Sequence, residues 1–188
     1  MVLLYIPPVQ NLLRREVTAY ASEATGMQIQ VERIDLRFPL NLLVRGVEVI
    51  QQPDTLLSLE SLNVRVQAWP LVKGKVEVDE VTLSQVAFNS ANLIEGMKIK
   101  GVLGRFFLQS HGVDLSNELA VINQTELSDT HVQMLMNDTT TTPKDTTASA
   151  PVNWKVDLHQ LKLKNVSFSM QLPADSMRMA AHIGEAAI

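Results

Sequence analysis

From residue 27 onward, apolar and polar residues alternate in a pattern that is typical of strands. The alternation comes in units of the form apolar-x-apolar-x-x, as in residues 76–88. Because successive side chains of a strand point to opposite faces, a straight strand would change the face of its apolar residues after every unit. One inserted residue per unit, accommodated as a β-bulge, keeps them on one side and bends the strand. The pattern therefore predicts a strongly curved sheet with one apolar face.

The unit also recurs at longer spacing. Residues 155–168 align with residues 75–88 without a gap, and six apolar positions coincide. Residues 127–134 match residues 83–90 less completely. Repeats of this spacing indicate an array of similar supersecondary units.

The first 26 residues have a different pattern. Residues 1–8 are apolar and end in two prolines, and we interpret them as the end of a clipped membrane anchor, with an N-terminus packed on the core as the alternative. Residues 9–26 have apolar residues at helical spacing up to Gly26, which predicts an amphipathic helix. We expect the native chain to extend upstream into a membrane-spanning stretch.

Residues 137–151 are rich in threonine and have no apolar period. This composition predicts a flexible loop. Because the strand pattern resumes directly after it, we place the loop within one sheet rather than between two domains. Residues 27–188 are then predicted to form a single long, curved, repeating antiparallel β-sheet that this loop interrupts.

Composition narrows the possible functions. Hydrophobic residues make up 46% of the 188 residues and aromatic residues only 5%, so aliphatic side chains supply most of the apolar surface. The chain has sixteen Lys and Arg, which are scattered, against twenty Asp and Glu. Because no basic cluster is present, we expect no nucleic-acid partner. The absence of cysteine removes thiolate chemistry and disulfides.

The sequence offers little catalytic chemistry. Its four histidines lie in separate segments, without the ligand spacing of a metal site. Asp129 with His131, and Asp157 with His159, each place a carboxylate and an imidazole on one strand face, but no serine nucleophile accompanies them. We predict no catalytic residue, no metal and no cofactor, and therefore a protein that is not an enzyme.

Gly101 and Gly104 form only a fragment of a glycine-rich phosphate-binding loop. We interpret them as turn or bulge glycines.

An apolar lining on a curved sheet suits acyl chains, which need contact area without directional polar partners. A closed β-sandwich or barrel filled by its own side chains is the alternative. The candidate lipid-contacting residues are apolar positions of the repeating units: Ile29, Val31, Ile34, Leu36, Val47, Val49, Leu62, Val64, Val76, Val78, Val81 and Leu83.

Several segments carry a family resemblance through their order along the chain. They are residues 4–13, Ala24-Thr-Gly-Met-Gln-Ile-Gln-Val31, Arg33-Ile-Asp-Leu-Arg-Phe-Pro39, Pro53-Asp-Thr-Leu-Leu57 and Trp69-Pro-Leu-Val-Lys-Gly-Lys-Val-Glu-Val78. Together they resemble the N-terminal region of the TamB family, the translocation and assembly module component of the AsmA-like superfamily. Residues 128–132 and the threonine-rich loop resemble a Bacteroidota version.

The resemblance implies a periplasmic protein of diderm bacteria, anchored in the inner membrane, whose β-groove extends toward the outer membrane. It implies roles in phospholipid transport, outer-membrane biogenesis and protein secretion. A BamA-like outer-membrane protein would be the partner, contacted through a C-terminal part that this chain lacks.

Two functions from different classes are therefore expected. The first is a conduit segment that holds phospholipid acyl chains in an open apolar groove. The second is a structural or chaperone-like scaffold for outer-membrane proteins, which would offer its strand edges for pairing.

Overall fold

The computed structural model describes residues 15, 18, 19, 22, 23, 25–38, 40–67, 69, 70, 77–114, 118–136, 155–172 and 177–188. The predicted anchor end at 1–8 and loop at 137–151 lie outside these residues. Most of the predicted helix at 9–26 lies outside them as well. These three predictions therefore stay predictions.

The described part is mainly β and contains nine strands. They are β1 Gln28–Arg37, β2 Asn41–Gln51, β3 Asp54–Val66, β4 Val78–Asn89, β5 Met97–Asp114, β6 Leu119–Met136, β7 Lys155–Leu158, β8 Leu161–Leu172 and β9 Met177–Ala187. They form one open, curved sheet in the order β1-β2-β3-β4-β5-β6-β8-β9, and β7 pairs with the beginning of β6. The predicted mainly β class and the single curved sheet are confirmed.

Strand direction departs from the prediction at one place. All neighbours are antiparallel except at β6, which pairs in parallel with both β7 and β8. The chain leaves β6 at Met136 and re-enters the sheet at Lys155, which pairs with Leu119 at the opposite end of β6. The prediction of a wholly antiparallel sheet is therefore wrong, because β6 and β8 are joined by a crossover and not by a hairpin.

Each of the eight long strands contains one residue that the cross-strand register skips without a shift, and these residues form a transverse line that we name the kink row. Its members are Glu32, Gly46, Glu60, Gln85, Gly104, Asp129, Asn165 and Gly184. The register is the same on both sides of the row: Val31 pairs with Val47, and Arg33 pairs with Arg45. The extra residue of each unit is therefore matched by one in the neighbouring strand.

Backbone conformation alternates along the kink row. Four members, on β2, β4, β6 and β8, have a positive φ of 50–59°: Gly46, Gln85, Asp129 and Asn165. Glycine, asparagine and aspartate are the residues that tolerate this left-handed region best, whereas glutamine has no such preference.

The kink row keeps the apolar residues on one face, as the sequence predicted for a β-bulge, but its geometry is different. A bulge adds a residue to one strand of a pair and shifts the register. Such shifts occur elsewhere, for example between Arg65 and Val66, but not at the kink row. Glu60 and Ser61, although consecutive in β3, line the same small cleft. Alternation is therefore interrupted there, so the polar residues before and after the kink row share one face and the apolar residues share the other.

The described sheet is a single layer. Every pair of elements in extensive contact is a pair of hydrogen-bonded neighbours. Within the described ranges the buried apolar residues are Ile34, Leu56, Leu59 and Ala120, and the other apolar residues of the strands are half-buried or exposed. These strands therefore do not form the alternative closed sandwich or barrel.

The left-handed conformation of Gln85 leads to a stability prediction. We expect Gln85→Val to lower the free energy of unfolding by about 1–2 kcal/mol, because a β-branched side chain is strained at positive φ. Gln85→Asn should leave it unchanged or raise it slightly. The control is Glu60→Val, on the facing strand of the kink row without a positive φ, which should change it by less than about 0.5 kcal/mol. Urea unfolding followed by circular dichroism measures all three, and equal losses in both valine variants would contradict the assignment.

The crossover leads to a second prediction. A chain that returns along the 18 residues of β6 must cover about 56 Å at about 3.3 Å per residue. If residues 137–151 are replaced by a three-residue Gly-Ser linker, that linker and residues 152–154 together reach only about 20 Å. We expect this variant to lose the pairing of β8 and β9 with the sheet, measured as loss of amide hydrogen-exchange protection in those strands. Undisturbed protection would contradict the parallel pairing.

Candidate functional site

The candidate site is the apolar face, and cross-strand pairing arranges it into four rows. Row A contains Ile29, Val49, Leu57, Phe88, Gly101, Val132, Phe168 and Ala181. Row B contains Val31, Val47, Leu59, Val86, Leu103, Thr130, Val166 and Ile183. Row C contains Ile34, Val44, Leu62, Leu83, Phe106, Leu127, Leu163 and Ala186. Row D contains Leu36, Leu42, Val64, Val81, Leu108, Thr125 and Leu161.

Most of the predicted lipid-contacting residues lie in these rows. Row A holds Ile29 and Val49; row B holds Val31 and Val47; row C holds Ile34, Leu62 and Leu83; row D holds Leu36, Val64 and Val81. Val78 pairs with Val66 just beyond row D. Val76 lies outside the described residues. The structure therefore brings ten positions, chosen from separate repeats, onto one continuous surface.

The prediction omitted the part of this surface that β5, β6 and β8 supply. In β6 and β8 the same five-residue unit marks the missing residues, among them Leu127, Leu163 and Val166. In β5 the signal is weaker because Gly101 and Gly104 interrupt it. Their interpretation as turn or bulge glycines is wrong, since both lie inside β5 and away from its register shifts, although Gly104 does occupy the kink row.

Gly101 has a packing reason for its lack of a side chain. A Cβ atom there would lie 2.5 Å from Cζ of Phe88 and 2.9 Å from the backbone oxygen of His131. The Phe88 ring therefore covers the backbone of Gly101 and fills row A in place of a side chain. Row A stays apolar at the one position where β5 supplies no side chain.

The described charged residues that lie between the rows along their strands, such as Arg33, Glu48 and Glu126, belong to the opposite face, which we name the polar face. None of the residues in rows A–D is charged. The ion pairs between described arginines and carboxylates, which join side chains of the other face, are Arg33 to Asp35 at 2.7 Å, Arg65 to Glu80 at 2.6 Å and Arg105 to Glu126 at 3.6 Å. The two faces therefore differ sharply in polarity.

The polar residues in the apolar rows are two threonines, Thr125 and Thr130. The Thr130 side chain is buried, and its hydroxyl donates a hydrogen bond to the backbone oxygen of Ser128 at 3.2 Å. With the hydroxyl directed to its own strand, the Thr130 methyl group remains for apolar contact. The apolar face therefore has almost no fixed hydrogen-bonding group to orient a polar ligand.

The histidine and carboxylate pairs considered in the sequence differ from each other in the structure. His159 Nε2 lies 3.3 Å from Asp157 Oδ2, whereas Asp129 accepts a hydrogen bond from Asn165 at 2.7 Å. His131 instead lies between two other side chains, with Nδ1 2.6 Å from Ser167 Oγ and Nε2 2.8 Å from the amide nitrogen of Gln133. Ser167 and His131 contact each other across neighbouring strands, and the second neighbour of His131 is the amide of Gln133. An amide cannot stabilise an imidazolium as the carboxylate of a catalytic triad does.

Neither a cluster of metal ligands nor a similar known protein identifies what the site binds. Among the described residues, no three His, Cys, Asp or Glu side chains gather as metal ligands. In the same ranges no helix combines the length and the apolar character needed to cross a bilayer. No family model, no curated protein and no solved structure matches the chain.

Proposed function

We propose that the apolar face binds the acyl chains of phospholipids, and that the protein carries them across the periplasm as the N-terminal segment of an inner-membrane-anchored bridge. The observation that supports this is a continuous apolar face, four rows deep, on a single-layer sheet. Most of its side chains remain partly open to solvent, and no charged residue interrupts the four rows.

The dimensions of this face suit a lipid tail. A row that crosses eight strands is about 34 Å long at about 4.8 Å per strand. This exceeds the hydrocarbon thickness of a bilayer, about 30 Å, which contains two acyl chains end to end. Burial of apolar area contributes about 25 cal/mol per Å², so a chain along a row gains affinity without any polar contact. An acyl chain could therefore lie fully within one row and pass between neighbouring rows.

In this proposal the curvature of the sheet turns the apolar face into the lining of an open groove. Headgroups stay in water outside the groove, where they need no specific partner. The upstream membrane anchor, the periplasmic location and the BamA-like outer-membrane partner belong to the same proposal, and the resemblance to the TamB family supports them.

A charge placed in a row tests the lipid proposal. We expect Leu83→Asp to remain folded and to lose no more than about 1–2 kcal/mol of stability, because a carboxylate on an open face reaches water. The same change should abolish phospholipid co-purification, because an acyl chain that crosses it must desolvate the charge. Native mass spectrometry measures bound phospholipid, and a thermal melt measures stability.

The matched control is Ser84→Asp, one residue away on the polar face and paired with Arg105. It should retain lipid at the level of the unmodified protein. Unfolding of Leu83→Asp with a stable Ser84→Asp would indicate that the apolar face is closed. A folded Leu83→Asp variant that keeps its lipid would refute the proposal.

A scaffold for outer-membrane polypeptides is the second candidate function. One observation favours it: among the strands that the structure describes, β9 is hydrogen-bonded only to β8, and its residues from Met177 to Glu185 are exposed. One edge of β9 therefore presents backbone groups to which another strand can add. In this proposal an outer-membrane polypeptide pairs with β9 and extends rows A, B and C, which reach that strand.

A change at the edge strand tests the scaffold. We expect Ile183→Lys to reduce the binding of an extended peptide with alternating valine and threonine, because a charged residue on an edge strand disfavours strand addition. Val31→Lys, in the same row at the opposite edge of the sheet, is the control and should leave binding unchanged. Fluorescence anisotropy of the labelled peptide gives both affinities. Equal binding by Ile183→Lys and the unmodified protein would contradict the scaffold at β9.

A further inference from the structure

A cleft of about 360 Å³ lies where β5, β6 and β8 run side by side at one end of the sheet. Its polar lining consists of Lys98, Lys100, Gln133, Ser169 and Gln171, and Met134 and Leu135 complete it. Lys100 pairs across the strands with Gln133, which in turn pairs with Ser169. Along their strands the polar lining residues alternate with Ile99, Met134 and Met170, which continue the apolar side and of which Met134 reaches the cleft. The polar lining residues therefore lie on the polar face, away from rows A–D.

The polar residues of the lining are rich in hydrogen-bond donors and include no carboxylate. Each polar side chain there can donate hydrogen bonds: two ammonium groups, two primary amides and one hydroxyl. No carboxylate lines the cleft, although the whole chain has a net charge of −4. Glu95 lies three residues before Lys98 in the chain and is not among the lining residues. Such a lining is complementary to an anion that offers several acceptor oxygens.

A second lysine pair on the same face shows what is unusual about the cleft. Lys162 and Lys164 have the same spacing on β8, but Lys162 pairs with Glu126, and Lys164 pairs with Glu185. Lys98 and Lys100 pair instead with Leu135 and Gln133. The register therefore places carboxylates opposite one pair of lysines and uncharged residues opposite the other.

Residues around the cleft contact one of its hydrogen-bond donors and add a further positive charge. Gln133 lies 2.8 Å from Nε2 of His131, and that imidazole contacts Ser167 at 2.6 Å on the next strand. Gln171 pairs with Arg178 of β9, which adds a third cation beside the cleft. Lys98 and Lys100 lie about 7 Å apart along β5, at about 3.3–3.4 Å per residue. Two ammonium groups at this spacing can contact one tetrahedral anion from two sides.

We propose that this cleft binds the phosphate group of a ligand. Phosphate offers more acceptor oxygens and more negative charge than a carboxylate, so it can accept hydrogen bonds from the lysines and the amides at once. The site does not depend on the proposed lipid function, because acyl chains would lie on the opposite face of the sheet. A free phosphate compound and a phospholipid headgroup share this chemistry, and the experiment separates them.

The first test uses inorganic phosphate with the 188-residue chain. We expect saturable amide chemical-shift changes around Lys98, Lys100 and Gln133 in heteronuclear NMR. Lys98→Gln combined with Lys100→Gln should weaken binding by about tenfold or more. Lys162→Gln combined with Lys164→Gln should weaken it less than about twofold, since carboxylates already face those lysines. Equal weakening in both double variants would overturn the site, because it would indicate a response to net charge alone.

All four lysines are at least partly exposed, so both double variants should fold, and circular dichroism checks this.

The second test measures how much protein sediments together with vesicles, either of phosphatidylglycerol or of phosphatidylcholine. Vesicle binding that the Lys98 and Lys100 double variant loses would assign the site to headgroups, whereas binding of inorganic phosphate alone would assign it to soluble phosphate compounds. If neither inorganic phosphate nor either vesicle binds, the proposal is refuted.

Discussion

The structure depends on one residue per strand that interrupts the alternation at the same level in eight neighbouring strands. Without the kink row, rows A and B would face one side of the sheet, and rows C and D would face the other. Each face would then mix apolar side chains with arginines and carboxylates. The left-handed conformation costs about 1–2 kcal/mol for a residue such as Gln85. That cost is small beside the stabilisation that apolar packing provides when all four rows lie on one side.

The symmetry of the repeating unit explains how the sheet tolerates a change of strand direction. The sequence apolar-x-apolar-x-x-apolar-x-apolar has the same pattern when it is read backward. A strand can therefore join its neighbour in either direction and keep its apolar residues in register. This is why β8 pairs in parallel with β6 and still places Val166 beside Thr130 in row B. The repeats offset by 80 and 44 residues also supply the same rows, because β4, β6 and β8 run in the same direction and Val86 of β4 lies in row B as well.

Separation of the two faces connects the fold to both proposed ligands. On the apolar face the side chains present contact area and no charge, which suits acyl chains. On the polar face most arginines of β1–β5 are close to carboxylates, as at Arg65 and Glu80. The end that contains Lys98 and Lys100 departs from this arrangement, and no carboxylate is among the residues that line the cleft there. One sheet can therefore offer an apolar surface and a phosphate site that do not compete for the same side chains.

The sequence by itself determined the strand class, the single apolar face and most of the candidate residues. This was possible because the five-residue alternation is a local property of each strand, visible in stretches such as residues 76–88. The tertiary structure alone decided that β6 and β8 are parallel, that Gly101 lies inside a strand beneath Phe88, and that the matching extra residues form one row. It also brought Lys98 and Lys100 to Gln133 and Gln171. These features depend on cross-strand register between residues 13 or more positions apart, and a local pattern contains no information on which strands become neighbours.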